Sequence, residues 1–201
     1  MTGPVPPATG DPGDGAIRIT VEDKVADDTA ARYWALYRET FGALETRAVA
    51  RQLLHEDEFF DEMRDPRVDK YVAWLGDDVV GMSTLTTHLE TVPWISPGYF
   101  AHHYPEHTAR EAVYYLGFTL VHRQHRQAHI FRAMVERIVE LLVERRAVCA
   151  WDICAFNDDV LGLGENIERI VSARAQVTVA PIDRQTYYAA SFRGPLLTGL
   201  P

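Results

Sequence analysis

The sequence predicts a layered α/β (α+β) fold, a mixed sheet with helices on both faces. Three observations predict it. Segments of period 2 and period 3.6 succeed one another in the order β-α-α-β-β-β-α-β-α-β-β, the pattern of strands and helices packed as layers. One unit, Ala112 to Phe156, reads strand–helix–strand and predicts a parallel pair joined by a right-handed crossover. The length of 201 residues, with 47% hydrophobic and 24% charged side chains, fits one globular domain.

Taken in order, the chain opens with MTGPVPPATGDPGDGA, whose Pro, Gly and Asp content cannot bury enough surface to order itself. Residues 1–15 therefore read as a disordered leader. With neither a basic region nor an apolar core, the stretch does not read as a signal peptide. Ile17 to Val21 alternates as a strand does. Asp27 or Asp28 can cap a helix reaching about Leu44, with Ala31, Trp34, Ala35 and Phe41 on its apolar face. A second helical segment covers Ala48 to Arg64, breaks near His55 and is stopped by Pro66. Lys70–Leu75, the turn GDD and Val79–Leu89 read as a hairpin, in which Gly81 marks a bulge or a close approach.

Thr91 to Arg110 has no steady period and reads as a loop of ~20 residues, a length often tied to function. The strand Ala112–Val121 and a helix over about 128–146 follow. Next come a strand at Val148–Phe156 and a helix from Asp158 to Ala173. Two closing strands, Gln176–Pro181 and Gln185–Phe192, complete a single domain over residues 16–193, and 194–201 form a tail.

The net charge of −9 argues against nucleic-acid binding, which needs a basic footprint. No run of ~18 apolar residues predicts a membrane span. Cys149 and Cys154 fit two reduced, buried thiols in a cytoplasmic protein. His122, His125 and His129 share no single helix face, so no metal site is expected.

The most informative stretch is AVYYLGFTLVHRQHRQAHIFRAMVERIVELLVERRA, Ala112 to Ala147. Its apolar run stops at Val121, polar and basic residues fill His122 to Gln127, and an amphipathic helix begins. Strand, basic turn and helix N-terminus together suit a phosphate, because free N–H groups and the helix dipole favour an anion there. Val121 is followed five residues later by Arg126, then by Gln127, Ala128, His129, Ile130 and Phe131. Asn157 stands just after the next strand, and IDRQTYYAASF fits a closing hairpin.

In these features the chain resembles the GNAT superfamily of N-acyltransferases, over residues 17 to 192. The resemblance implies a GNAT-like mixed, mostly antiparallel sheet with a central, splayed parallel pair. It implies acetyl-CoA or another acyl-CoA as co-substrate. Leu120 and Val121 would offer backbone groups to the amide arm of CoA, and Arg123 and Arg126 would meet its phosphates. Residues Gln127 to Phe131 and Asn157 would complete that site. The departure is that both glycine positions of the motif are filled, by His129 and Phe131, where side chains crowd a pyrophosphate. Either His129 turns inward to the phosphate while Phe131 packs on the sheet, or the CoA site is altered or lost.

Direct acyl transfer to an amine needs a base and a proton for the leaving thiolate. Asp152, inside the apolar AVCAWDICAF, must be paired, hydrogen-bonded or shifted in pKa; its plain alternative is a structural carboxylate. Glu111 is the second candidate base, or a solvated strand-edge residue. The family often places a Tyr on the helix after Asn157, but DDVLGLGENIERIVSARA has none, so Tyr187 or Tyr188 is the substitute. Trp94, Tyr99 and Phe100, with Tyr115 of the strand, are candidates to line an acceptor pocket or, for the loop residues, to anchor the loop. The expected function is transfer of an acyl group from acyl-CoA to a small amine or amino-acid-like acceptor. The alternatives are a degenerate domain that binds a metabolite or a protein without transfer, and a long-chain, carrier-protein-dependent N-acyl synthase. The resemblance also admits a homodimer through the last strands.

Overall fold

The computed structural model describes residues 16–125 and 129–194. The expected leader, most of the expected tail, and Arg126, Gln127 and Ala128 lie outside the described residues. A five-stranded sheet runs in the order β1-β2-β3-β4-β5, formed by Ile17–Glu22, Val68–Leu75, Asp78–Thr86, Val113–Val121 and Val148–Ala150. Neighbours are antiparallel except β4 and β5, which are parallel. The β2–β3 hairpin turns at Gly76, whose φ of 60° is open to glycine without steric cost.

Both faces are covered. On one lie α1 (Asp27–Phe41) and α2 (Glu56–Arg64), which bury Tyr33, Tyr37, Phe59 and Met63 against Val72, Met82 and Leu120. Phe118 of β4 meets the rings of Tyr37 and Phe59 there. Of the helical segment expected over Ala48–Arg64 only the part after the break is helical, and 48–55 are irregular; at the start of α2 the His55 N–H donates to Glu58 Oε2 at 2.7 Å, which satisfies an otherwise free helix-entry donor. Lys70 is fully buried, and its Nζ donates to the carbonyls of Asp23 (2.8 Å) and Asp65 (2.7 Å), tying the end of β1 to the end of α2. On the opposite face α5 (Ile130–Glu144) buries Ile130, Met134 and Ile138 against Ala73, Val80, Val121, Tyr71 and Leu85. Gly81 is where α5 comes closest. A Cβ there would stand 2.9 Å from Met134 Sδ and 3.1 Å from the Leu120 carbonyl.

Three expectations need correction. Thr91–Arg110 is not one loop: it folds into α3 (Pro97–His103) and α4 (Pro105–Ala109), each opened by a proline at the first helical position. The strand expected over Val148–Phe156 ends at Ala150. A π-helical turn (Phe156–Val160) and α6 (Leu163–Ser172) come after it. The two closing strands are absent among the described residues, so β5 is an edge and the parallel pair closes the sheet instead of lying inside it. A hairpin is marginal alone, and three residues of β5 offer little edge to register it. Residues 173–194 run as irregular, largely exposed chain, tied by Arg174 to Glu136 (2.5 Å) and by the Tyr99 hydroxyl to the Ile182 carbonyl (3.3 Å).

Candidate active site

The site is an opening beside β4. The parallel ladder consists of Val113↔Val148, Tyr114↔Cys149 and Tyr115↔Ala150. Past Ala150 the chain leaves the sheet, and Leu116–Val121 have no strand on that side among the described residues. Alternate residues of an antiparallel strand bond to opposite sides. The His122 N–H donates to the Val80 carbonyl at 2.8 Å, so the Leu120 backbone faces β3, while the Thr119 and Val121 groups face the opening. This parity moves the expected role of Leu120 to Thr119 and leaves that of Val121 in place. The register slips between Ser83 and Leu85, so Gly117 and Phe118 form a bulge opposite Thr84 at the start of the free edge.

At the far end of β4 stands the entrance to α5. His129 adopts φ 57°, ψ 18°, the left-handed geometry that glycine takes freely, and its side chain is exposed. Phe131 packs into the cluster of Ala73, Val80, Val121, Ile130 and Met134. Ile130 is core. Arg123, exposed in the 3₁₀ turn Arg123–His125, lines a cleft of about 360 Å³ with Thr40, Phe41, Arg47, Phe156 and Asn157. The Arg47 guanidinium stands 4.7 Å from the centre of the Phe156 ring. The Thr40 hydroxyl is buried and unpartnered. Two guanidinium groups, an amide and an orphaned hydroxyl suit an anionic, hydrogen-bonding ligand.

At the near end, three predicted residues from separate segments converge. The Tyr115 hydroxyl donates to Asp152 Oδ1, and Trp94 Nε1 lies 3.2 Å from the same oxygen and 3.3 Å from the Tyr115 hydroxyl. Burial, followed by the Asp152 carboxylate, raises the Tyr115 phenol above its ordinary range. Asp152 is exposed and lies just beyond β5, not inside a strand. Phe100 is 4% exposed and belongs to a small core with Leu89, Val92, Val113 and Ala150, so it anchors α3. Tyr99 turns its hydroxyl to Ile182.

Other candidates stand apart. Glu111 lies before β4 in a left-handed turn (φ 53°), exposed, and roughly 25 Å from Thr119 at the usual ~3.3 Å rise per strand residue. Tyr187 is half-exposed in the C-terminal segment. Burial pushes the Cys149 thiol up to about 12, which leaves it inert as a nucleophile near neutrality.

One buried acid escaped the sequence reading. Glu62 on α2 sits at the bulge: its Oε1 is 3.9 Å from the place a Cβ on Gly117 would take. Burial pushes its carboxyl up to about 7, opposed by the Thr84 hydroxyl and the Lys70 ammonium and reinforced by Asp65. That hydroxyl makes no hydrogen bond of standard geometry, so it satisfies Glu62 weakly. The available signal was spacing, for Phe59, Glu62 and Met63 fall on one helix face, the buried one.

The fold is similar to that of solved N-acetyltransferases of the GNAT superfamily. The aminoglycoside 6′-N-acetyltransferase AAC(6′)-Ih from Acinetobacter baumannii superposes with a TM-score of 0.52 at 13% identity, over 88% of this chain and 99% of that one. A ribosomal-protein-alanine N-acetyltransferase from Brucella melitensis biovar Abortus 2308 gives 0.49 at 15% identity, over 87% and 99%. No protein-family model matches the sequence, and no curated protein matches it significantly. The shared property is the fold.

Proposed function

We propose that the chain is an N-acyltransferase that moves an acyl group from acyl-CoA to a small amine or amino-acid-like acceptor. The observation that carries this reading is the free edge of β4, with a cationic cleft at one end and the Tyr115–Asp152–Trp94 cluster at the other. An extended amide chain can add to such an edge as a further strand, here through Thr119 and Val121. The phosphates fall to Arg123, Arg47 and the N-terminus of α5, with Asn157 beside them. Arg126, Gln127 and Ala128 keep the phosphate role the resemblance gives them. The His129 side chain is exposed and Phe131 packs on the core, so the structure gives neither a contact that seals the site.

The acceptor enters from the α1–α2 side. The exposed carboxylate of Asp152, fixed by Tyr115 and Trp94, attracts its ammonium group, and the Trp94 ring gives it a wall. Transfer is direct, with no enzyme nucleophile. The aminoglycoside acceptor of the Acinetobacter neighbour is a polyamine, which makes aminoglycosides the first acceptors to try. The two free cysteines suit a reducing compartment such as the cytoplasm.

Calorimetry with acetyl-CoA, octanoyl-CoA and free CoA tests the reading, joined to a thiol-release assay over aminoglycosides, alanyl peptides and free amino acids. Micromolar binding with turnover of one amine is the expected result. The filled glycine positions at His129 and Phe131 favour a second reading, a binding module of the same fold without transfer. Absence of binding by all three CoA species would select it.

A further inference from the structure

We propose, building on the acyl-transfer reading, that Glu62 is the general base, taking the proton of the acceptor amine beside Gly117 at the β4 bulge. Asp152 was the sequence's candidate, but its carboxylate is exposed and already accepts from Tyr115 and Trp94. Glu62 turns its carboxyl inward to the bulge, and it makes no ion pair among the described residues. Each packed element faces it with something that leaves it free. The α1 helix presents the Tyr37 phenol and β3 the orphaned Thr84 hydroxyl. The β2 strand presents Lys70, whose ammonium is held by two carbonyls, and the end of α2 presents Asp65. An acid kept in the interior without a full partner destabilises the fold, so its retention asks for a task. A Cβ on Gly117 would stand 2.6 Å from Thr84 Oγ1 and 3.9 Å from Glu62 Oε1, so the carboxyl lies against the bulge where the free edge of β4 begins. Gly117 is two residues from Tyr115, the donor to Asp152, so these two strand positions are about 7 Å apart along β4.

The step balances as follows. The Glu62 carboxylate removes one proton from the ammonium of the acceptor. The freed nitrogen lone pair forms the N–C bond to the thioester carbon, and the C–S bond breaks with its pair remaining on sulfur. The second amine proton goes to the thiolate, and Glu62 returns its own to water. Tyr115 and Asp152 are positioning residues.

The test compares wild type with Glu62→Gln and Glu62→Asp, using the amine that the acceptor screen finds. For Glu62→Gln we expect acetyl-CoA affinity within about twofold and kcat/KM lower by about 100-fold or more, the range of a lost general base. The acid limb of the pH–rate profile, near pH 7, should disappear. Glu62→Asp should keep that limb at a reduced rate. Unchanged rate and limb in Glu62→Gln, with CoA binding intact, overturns the proposal and spares the transferase reading. A wild type that binds no CoA removes both. Should Glu62→Gln not fold, Glu62→Asp decides: an acid limb kept at a rate at least tenfold lower supports the assignment, and a wild-type rate overturns it.

Discussion

Glu62 links ionisation to stability with a definite sign. Its folded pKa of about 7 lies above the ordinary 4.5, so the folded state holds the proton more tightly than the unfolded chain. The stabilising contribution is complete below pH 4.5 and is lost as pH rises toward 7. The total loss is of order 3 kcal/mol. Urea denaturation of wild type should show that decline between pH 4.5 and 7.5, and Glu62→Gln should flatten it. Tyr115→Phe removes the stronger donor to Asp152 and should lower stability by about 1–2 kcal/mol, with KM for the amine rising more than kcat falls. The legible residues were those out of place in their surroundings. Asp152 announces itself among AVCAWDICAF, and Trp94 in an aperiodic stretch. Glu62 hides in the acidic EDEFFDEMR, where glutamate is ordinary and only the Phe59–Met63 spacing betrays an inward turn.

Elements with sustained periodicity were read to within a few residues, including β1, α1, β2, β3, β4 and α5. Those that failed are shorter than the repeats that would reveal them. The helices α3 and α4 hold seven and five residues, under two turns each. Their readable mark was Ser96–Pro97, where the Ser96 hydroxyl accepts from the Tyr99 N–H at 3.3 Å. An apolar run such as Val148–Phe156 reads the same whether it pairs or merely packs, so the end of β5 was invisible. Gly81 gave a correct signal of close approach. Gly81→Ala should cost about 1–3 kcal/mol by chemical denaturation, because Met134 and the Leu120 carbonyl leave no room for a methyl group. In the 3₁₀ turn after β4, Arg123→Ala should weaken CoA binding several-fold by calorimetry while leaving the melting temperature within a degree or two, since its side chain is exposed.

For the molecule as a whole, patterning yielded the β2–β3 hairpin and the parallel β4–β5 pair, the resemblance supplied the mostly antiparallel sheet, and the expected closing hairpin is absent among the described residues. Sequence alternation in Gln176–Phe192 shows that a segment suits a sheet. It does not show that an edge long enough to receive it exists. Tyr188 (92% exposed) and Phe192 (95%) are accordingly left in solvent. Brief trypsin treatment should cut at Arg184 and Arg193 before any site within residues 16–172, as mass spectrometry would show; early cleavage inside α1 or α5 would contradict this arrangement.

The torsion at His129 has a wider consequence. A histidine here holds a left-handed bend of the kind a glycine takes without strain. A glycine in its place would relieve about 1 kcal/mol of crowding yet loosen the denatured chain by a similar amount. The exchange is nearly neutral for folding, so the bend itself does not depend on which of the two residues makes it.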